Sequence, residues 1–241
     1  MSVQENSTVN KAMYERFYQN RQAFLRCPGD WIPRFHNMYL REYLPQGTVL
    51  DYGCGSANNS IFFIRNGYDV YGVDVVDAAM DLIRANLESY GLGDEHLAKF
   101  QIVPLDWRRL PFEDKSFDLI ISNQVLYYLN SDREIKRVCK ELSRCLRPGG
   151  TVFFTMMGPR NYYIVYHARQ IRDGKVYQIR IDDPSHRLHG LHEEIYLVRD
   201  EDELKSLFDE FDCVTTGHFE QKMFDMSSNF HWIFVGRKPG K

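Results

Sequence analysis

The most diagnostic stretch of this chain is Thr48-Val49-Leu50-Asp51-Tyr52-Gly53-Cys54-Gly55-Ser56-Ala57, an apolar segment followed by a carboxylate and a Gly-x-Gly turn. Val49 and Leu50 are typical of a buried strand, and the two glycines permit a tight turn that lets a ligand approach the backbone. The apolar residues 61–64 then continue as part of a helix. A strand, a glycine turn and a helix form half of a Rossmann unit, so this stretch indicates a nucleotide-like ligand.

A dinucleotide-binding turn is the first alternative. That fingerprint uses three glycines, and Asn58 occupies the position of the third. Asp51 would also place a negative charge beside a diphosphate, whereas it suits a cationic ligand. A nicotinamide-dependent reductase is therefore the less favoured reading of the turn.

A second strand is predicted over residues 67–74, and it ends in Asp74. This carboxylate follows the glycine turn by about twenty residues, the spacing at which an acid binds ribose hydroxyls. The alternative is that Asp74 caps a helix or a turn, but Asp77 competes for that role before Ala78. We therefore predict that Asp74 binds ribose.

Three further strands and one helix follow. Strands are predicted at 100–103, 116–121 and 151–156, and a helix at 132–146 with an apolar residue on one face at each turn. Arg147-Pro148-Gly149-Gly150 ends this helix, because proline and glycine break helices.

Together these segments resemble the class I S-adenosylmethionine-dependent methyltransferases of small molecules. The resemblance rests on the acid two positions before Gly-x-Gly, on Asp106 followed by Leu110-Pro111-Phe112, on Phe117-Asp118 before the fourth strand, and on the 147–150 stop. It implies an α/β fold: a Rossmann-like, doubly wound, seven-stranded and mostly parallel sheet whose last strand is antiparallel. Ala57 departs from the glycine that often stands third in the turn.

The resemblance also implies S-adenosylmethionine as cofactor and S-adenosylhomocysteine as product. The turn would cradle the methionine part, with Asp51 near its amino end, while Asp106 would accept a hydrogen bond from the adenine amino group. Trp107 would lie beside the base, although simple core packing explains it equally well. The predicted cofactor-binding residues are Asp51, Gly53, Cys54, Gly55, Asp74, Val75, Asp106, Trp107 and Asn123.

The end of the fourth strand is the predicted reaction zone. Related enzymes often have histidine where this chain has Tyr128, so Tyr128 would instead orient an acceptor or present its ring to the sulfonium. His167 and His231 are candidate general bases, because the pKa of histidine lies near neutrality. The predicted catalytic residues are thus His167, His231 and Tyr128.

A metal site is not predicted. His186, His189 and His192 recur at every third position, but Gly190 interrupts them and no thiol or acidic set completes a coordination shell.

We predict a single methyltransferase domain over 1–241. It comprises a helical cap at 1–45, a cofactor-binding core at 46–157, an acceptor-site insertion at 158–198, and a C-terminal helix with two strands at 199–241. Tyr14, Tyr18 and Trp31 are candidates to close the cofactor site. The insertion contains an aromatic helix, an Asp173-Gly174 turn and a strand, and is expected to wall the acceptor site.

Composition narrows the function classes. The net charge is −3 and no segment combines clustered basic residues with aromatics, so we expect no nucleic-acid partner. No apolar run approaches the length of a membrane span, so we expect no membrane partner. The five cysteines include no Cys-x-x-Cys pair, which favours the cytoplasm. We expect a monomer or homodimer.

The predicted function is transfer of a methyl group to an oxygen or nitrogen of a small-molecule acceptor. The alternative is a catalytically silent S-adenosylmethionine-binding scaffold or activating partner, because a fold alone does not prove turnover.

Overall fold

The computed structural model describes residues 3–19, 27–186, 188–222 and 229–240. Two sheets and a set of short helices make up this part of the chain. The strands are β1 (Thr48–Tyr52), β2 (Asp69–Asp74), β3 (Phe100–Ile102), β4 (Phe117–Ser122), β5 (Leu146–Met157), β6 (Ala168–Arg172), β7 (Val176–Arg180), β8 (His192–Tyr196), β9 (Asp212–Phe219) and β10 (His231–Arg237).

The first three helices precede β1, and the others alternate with the strands along the chain. They are α1 (Val3–Gln19), α2 (Trp31–Phe35), which continues through a π-helical turn (His36–Leu40) into α3 (Arg41–Tyr43), α4 (Asn58–Arg65), α5 (Ala79–Ser89), α6 (Asp94–Leu97), a 3₁₀ turn (Leu126–Tyr128), α7 (Asp132–Cys145), α8 (Tyr162–His167) and α9 (Glu201–Leu207). Within the described ranges, no helix has the length and apolar character needed to cross a membrane.

The larger sheet has seven strands in the order β3-β2-β1-β4-β5-β10-β9. The pairs β1–β2, β1–β4, β2–β3 and β4–β5 are parallel, and β10 runs antiparallel to both of its neighbours. The strand order reverses between β1 and β4, and such a switch point leaves a crevice at the carboxyl ends of the strands. The predicted fold class is confirmed.

Both faces of this sheet are buried, because successive residues of a strand point to opposite faces. Leu50, Ile120 and Phe154 pack on the side of α7, whereas their neighbours Val49 and Phe153 pack on the side of the N-terminal helices. This double burial explains why the predicted parallel strands are continuous apolar runs.

Two helix starts follow from side-chain caps. Ser131 accepts a hydrogen bond from the Glu134 amide at 3.2 Å where α7 begins, and Asp200 accepts one from the Glu203 amide at 2.8 Å at α9. Glu203 in turn accepts from the Arg199 amide at 2.8 Å, so Asp200 and Glu203 form a reciprocal cap whose second bond reaches one residue before the N-cap.

Strand β5 begins earlier than the sequence predicts. The predicted stop at 147–150 does end α7, but Leu146 already pairs with Phe117, and the register shifts before Leu119 pairs with Thr151. Gly149, with φ of +76°, supports this irregular stretch, and its amide donates to the Lys238 carbonyl at 2.9 Å.

The insertion forms α8 and then a separate antiparallel sheet in the order β6-β7-β8. The helix, the turn at Asp173 and Gly174, and β7 agree with the sequence-based expectation. Strands β6 and β8 were not predicted. The middle residues of β6 are exposed, so it lacks a buried face, and β8 carries adjacent glutamates that are buried despite their charge.

Candidate functional site

A cavity of about 340 Å³ lies at the carboxyl ends of β1, β2 and β4, at the switch point of the large sheet. We call it the first cavity. The glycine turn after β1 forms one wall, the residues after β4 form another, and α1 covers the opening. Residues that line it include Asn10, Lys11, Tyr14, Tyr18, Gly53, Cys54, Gly55, Asp74, Val75, Leu105, Trp107, Asn123, Gln124 and Tyr128.

The glycine turn has no room for side chains. The amides of Gly53 and Cys54 both donate to the Val73 carbonyl, at 2.8 and 3.0 Å, which holds the turn against β2. Gly53 has φ of +75°, and a Cβ atom there would lie 2.5 Å from the methyl groups of Val125. At Gly55, with φ of +53°, a Cβ atom would lie 3.0 Å from the Tyr18 hydroxyl oxygen. The backbone itself is therefore the surface that a ligand meets.

Asp51 lies beneath this turn and is 1% exposed. Its Oδ2 accepts a hydrogen bond from the Ser60 hydroxyl at 2.6 Å, but its Oδ1 has no partner among the described residues. Burial raises the pKa of Asp51 to about 7, against the lowering effect of Ser60 and with a further increase from Asp74. A buried, half-satisfied carboxylate is costly, and a cationic or hydrogen-bond-donating ligand would relieve that cost.

Asp74 ties the glycine turn to the end of β2. Its Oδ2 accepts from the Gly55 amide at 2.8 Å, and its Oδ1 accepts from the amides of Val75 and Val76 at 2.8 and 2.9 Å. Burial raises the pKa of Asp74, whereas these three amides lower it. In this structure the Asp74 side chain therefore stabilises the turns on both sides of it, which is the alternative role that the sequence offered. An ionised carboxylate offers about four acceptor positions, so one stays available to ribose.

Asp77 does not take the capping role that competed with Asp74. Helix α5 begins after Ala78 without a side-chain cap, and the exposed Asp77 carboxylate pairs with Lys11 at 3.1 Å.

Trp107, which is predicted to lie beside the adenine base, is 6% exposed and lines the first cavity. The Arg137 guanidinium lies 4.5 Å from its ring centroid, and Tyr52 meets it edge-on at 6.1 Å. Trp107 is therefore both core and cavity wall. Asp106 is exposed and is not among the described residues that line the cavity, although Leu105 and Trp107 on either side are. Its adenine contact stays a prediction.

A second cavity of about 180 Å³ adjoins the first. It shares Tyr14, Gln124 and Tyr128 with the first cavity, and Gln124 has a left-handed backbone with φ of +62°. Strained residues of this kind cluster at functional sites. The lining comprises Met13, Tyr14, Phe17, Gln124, Tyr127, Tyr128, Met157, Asn161, Tyr163, Leu188, Leu191, Glu193, Asn229 and His231.

A tyrosine pair separates the two cavities. The hydroxyls of Tyr14 and Tyr128 share a short hydrogen bond, and their ring centroids lie 5.3 Å apart at an interplanar angle of 73°. The Tyr128 hydroxyl also makes a long contact of 3.5 Å to the Glu193 carboxylate on β8. Burial raises the pKa of Glu193 to about 7, although hydrogen bonds from both tyrosines lower it.

Glu193 was missed by the sequence analysis. Nothing in its local sequence distinguishes it from Glu194, since both stand in a polar stretch after the histidine-rich segment. Only the unpredicted β8 directs one of these carboxylates toward Tyr128.

The predicted catalytic residues lie in different places. Tyr128 lines both cavities, and His231 lines the second. Neither ring nitrogen of His231 has a partner among the described residues, and burial lowers its pKa to about 4, so the ring is neutral at pH 7. His167 ends α8 beside His186, with ring centroids 5.5 Å apart, and is not among the described residues that line either cavity. In the described ranges no group of three metal-ligating side chains occurs.

Two hydrogen bonds to the backbone of β8 hold helix α1 beside the first cavity. The Asn10 side chain donates to the Glu194 carbonyl at 2.7 Å and accepts from the Glu194 amide at 2.9 Å. Tyr14 and Tyr18, two of the three predicted closing residues, line the cavity from this helix. The third, Trp31, lies on α2 with the Arg34 guanidinium 5.7 Å from its ring.

Comparisons with known proteins agree with this geometry. A family model described as a methyltransferase domain matches residues 50–154. A malonyl-[acyl-carrier protein] O-methyltransferase of Legionella pneumophila is 31% identical over 128 residues, which are 53% of this chain and 42% of that protein. The chain spans about half the length of the curated relatives it matches.

Solved structures extend the similarity of fold to nearly the whole chain. The Burkholderia thailandensis 1,6-didemethyltoxoflavin-N1-methyltransferase, with S-adenosylhomocysteine bound, is 16% identical with a TM-score of 0.67, covering 99% of this chain and 91% of that one. The [4+2]-cyclase SpnF is 17% identical with a TM-score of 0.63, covering 98% and 97%. The fold therefore also carries a chemistry other than methyl transfer.

Proposed function

We propose that this protein transfers a methyl group to an oxygen or nitrogen of a small molecule. The chain belongs to the class I S-adenosylmethionine-dependent methyltransferases. The observation that carries the proposal is the half-satisfied carboxylate of Asp51 under a glycine turn that opens into the first cavity. A cofactor with a cationic amino acid end supplies what this carboxylate lacks.

The residues of the first cavity fit the cofactor. Asp74 offers its remaining acceptor position and the Trp107 indole offers an apolar surface for a base, whereas Asp51, whose unpaired oxygen is buried beneath the turn, is not among the described residues that line the cavity. When bound, S-adenosylmethionine supplies a methyl group already activated on a sulfonium. The protein then has to align the acceptor and exclude water rather than activate the donor.

Tyr14 and Tyr128 support the second half of the proposal. They stand between the cavities, so an acceptor in the second cavity and a cofactor in the first would meet at this pair. Their hydroxyls hold each other, which fixes both rings and limits the entry of water between the cavities. We extend the proposal to a cytoplasmic location, which the five free cysteines support, and to a monomer or homodimer.

Calorimetric titration with S-adenosylmethionine and S-adenosylhomocysteine tests the cofactor half. A screen of metabolite pools with a labelled methyl donor then tests the transfer. Tight cofactor binding with no labelled product in any pool would favour the silent-scaffold alternative. A rise in melting temperature with NAD or NADP, and none with S-adenosylhomocysteine, would favour the reductase alternative and contradict the proposal.

A further inference from the structure

We propose that the second cavity binds the methyl acceptor as an uncharged molecule about one ring in size, and that the Glu193 carboxylate takes the proton from its O–H or N–H group. This inference rests on the proposed methyl-transfer function and adds to it a substrate class and a catalytic residue.

The size of the acceptor follows from the cavity. Its volume is about 180 Å³, and an apolar cavity of about 150 Å³ in another protein binds benzene. Met13, Phe17, Met157 and Leu191 supply the apolar part of the wall, and polar groups such as Glu193 supply a part at least as large. The cavity therefore has room for a single flat ring.

The charge of the acceptor follows from the lining. Of the described residues that line the cavity, none is lysine or arginine, and Glu193 is the group among them that carries a charge when ionised. The nearby Arg172 guanidinium lies 3.7 Å from Glu194 instead, on the adjacent residue of β8. As far as the described lining residues go, an anionic acceptor would lie beside a carboxylate with no cationic side chain to balance it, and that arrangement is strongly unfavourable.

The buried polar groups point to a ligand as well. His231 is 1% exposed; the Asn229 backbone lies close enough to raise its pKa, but neither ring nitrogen makes a hydrogen bond of ordinary geometry to a described residue. A neutral imidazole has one donor and one acceptor nitrogen, so it can hold a polar substituent on an uncharged ring. In this role His231 positions the acceptor, and Glu193 takes the proton.

Glu193 is the better proton acceptor of the two. The titratable groups that face it are Tyr14 from α1, Tyr127 and Tyr128 from the 3₁₀ turn, and His231 across the cavity. Burial raises the pKa of every one of these tyrosines and lowers that of His231, so none of them competes for a charge near pH 7. Burial also raises the pKa of Glu193 to about 7, and a base with a pKa near the working pH is the most effective.

The O–H or N–H bond of the acceptor breaks, and its electron pair stays on the oxygen or nitrogen and forms the new bond to the methyl carbon. The sulfur keeps the electron pair of its former bond to that carbon and becomes a neutral thioether. The proton is transferred to Glu193, which becomes an uncharged carboxylic acid.

Two matched probes test the inference: 4-fluorophenol and 4-fluorobenzoate, which share a ring but differ in charge. Their binding to the full chain saturated with S-adenosylhomocysteine is followed by fluorine NMR at pH 6 and pH 8. We expect 4-fluorophenol to bind, with an affinity that rises about fivefold over this interval, because a hydrogen bond to an ionised acceptor is roughly twice as strong as one to a neutral acceptor. We expect 4-fluorobenzoate not to bind at pH 8.

The Glu193→Gln variant should lose this pH dependence and admit 4-fluorobenzoate, whereas Glu194→Gln, a change at the neighbouring buried carboxylate, should behave as the wild type. A purely structural role for Glu193 would change both probes alike and leave the pH profile in place. Equal binding of the two probes to the wild type, or no binding of 4-fluorophenol, overturns the inference even if Glu193→Gln fails to fold. S-adenosylhomocysteine binding is measured in the same samples. If it is retained while the probe results contradict the inference, the inference about the acceptor fails but the proposed function does not; if it is lost in the wild type, the proposed function fails.

Discussion

Asp51 gives the sharpest prediction, because its ionisation works against folding. Its pKa is raised to about 7 in the folded protein, against about 3.9 for an unperturbed aspartate. Between about pH 4 and pH 7, Asp51 is protonated in the folded state but ionised in the unfolded state. The free energy of unfolding therefore falls as the pH rises through this range. This cost reaches its full size above about pH 7 and is absent below about pH 4.

The Asp51→Asn variant removes this titration while keeping the shape of the side chain. The full shift of about three pKa units corresponds to about 4 kcal/mol at 1.36 kcal/mol per unit, and the part lying between pH 5 and pH 8 to about 3 kcal/mol. We therefore expect the stability of the variant relative to the wild type to rise by about 3 kcal/mol from pH 5 to pH 8. The amide also brings an unpaired N–H group, but that penalty is the same at each pH and cancels in the comparison.

The assay is urea unfolding followed by circular dichroism, at four pH values for both proteins. Ser60→Ala serves as a control: it removes the hydrogen bond that lowers the pKa of Asp51, so the decline in stability should extend to higher pH. A difference between Asp51→Asn and the wild type that stays constant within about 1 kcal/mol from pH 5 to pH 8 would refute the raised pKa. Asp51→Asn should also bind S-adenosylmethionine at least about tenfold more weakly than the wild type, as expected for loss of a charge-assisted hydrogen bond.

Three further predictions concern the walls of the first cavity. Gly53→Ala places a side chain at a positive φ and 2.5 Å from Val125, so it should lower the free energy of unfolding by about 2–4 kcal/mol and abolish cofactor binding in calorimetry. The control is Gly67→Ala, where φ is +88° but the space is open. It should lower the free energy of unfolding by only about 1–2 kcal/mol and leave cofactor binding intact. Asp74→Asn should weaken cofactor binding by about tenfold or more, and unchanged affinity would contradict the ribose assignment. Asn10→Ala should destabilise the protein by about 1–3 kcal/mol in urea unfolding, because two buried hydrogen bonds to β8 are lost, and should speed hydrogen exchange in α1; unchanged exchange would mean that this contact does not hold the helix down.

The cofactor half of the molecule could be predicted from the sequence because its elements are local. Asp51, the glycine turn and Asp74 lie within one βαβ unit, where a strand end fixes the position of each side chain. The bonds of Asp74 to Val75 and Val76 correspond to the turn role that the sequence offered as the alternative, whereas its bond to the Gly55 amide joins two different turns and could not be predicted. The exposure of Asp106 was also hidden, because the spacing of a motif does not determine which side of a loop faces solvent.

The second cavity could be predicted only in part: the sequence indicates Tyr14 and Tyr128 separately, but not Glu193 or the meeting of the three, because they come together from distant parts of the chain. Tyr14, Tyr128 and Glu193 lie on α1, the 3₁₀ turn and β8, and pairing of β8 with β7 is what brings the last of them to the site. Alternation and helical spacing describe one segment at a time, so they carry no information about such a meeting.

This division of the site has a physical consequence for specificity. The residues around the glycine turn are restrained by backbone hydrogen bonds and by positive φ angles, and few substitutions preserve the turn. The second cavity is lined by side chains of α1, of the segment after β4, of β10 and of the insertion, and the insertion's part, which includes Glu193, can change while the strands of the cofactor site stay in place. Glu193 is the clearest case: a neutral side chain there alters which acceptors are tolerated without touching a hydrogen bond of the glycine turn. We therefore expect selectivity for the acceptor to be determined by β8 and its neighbours, and selectivity for the methyl donor by β1 and β2.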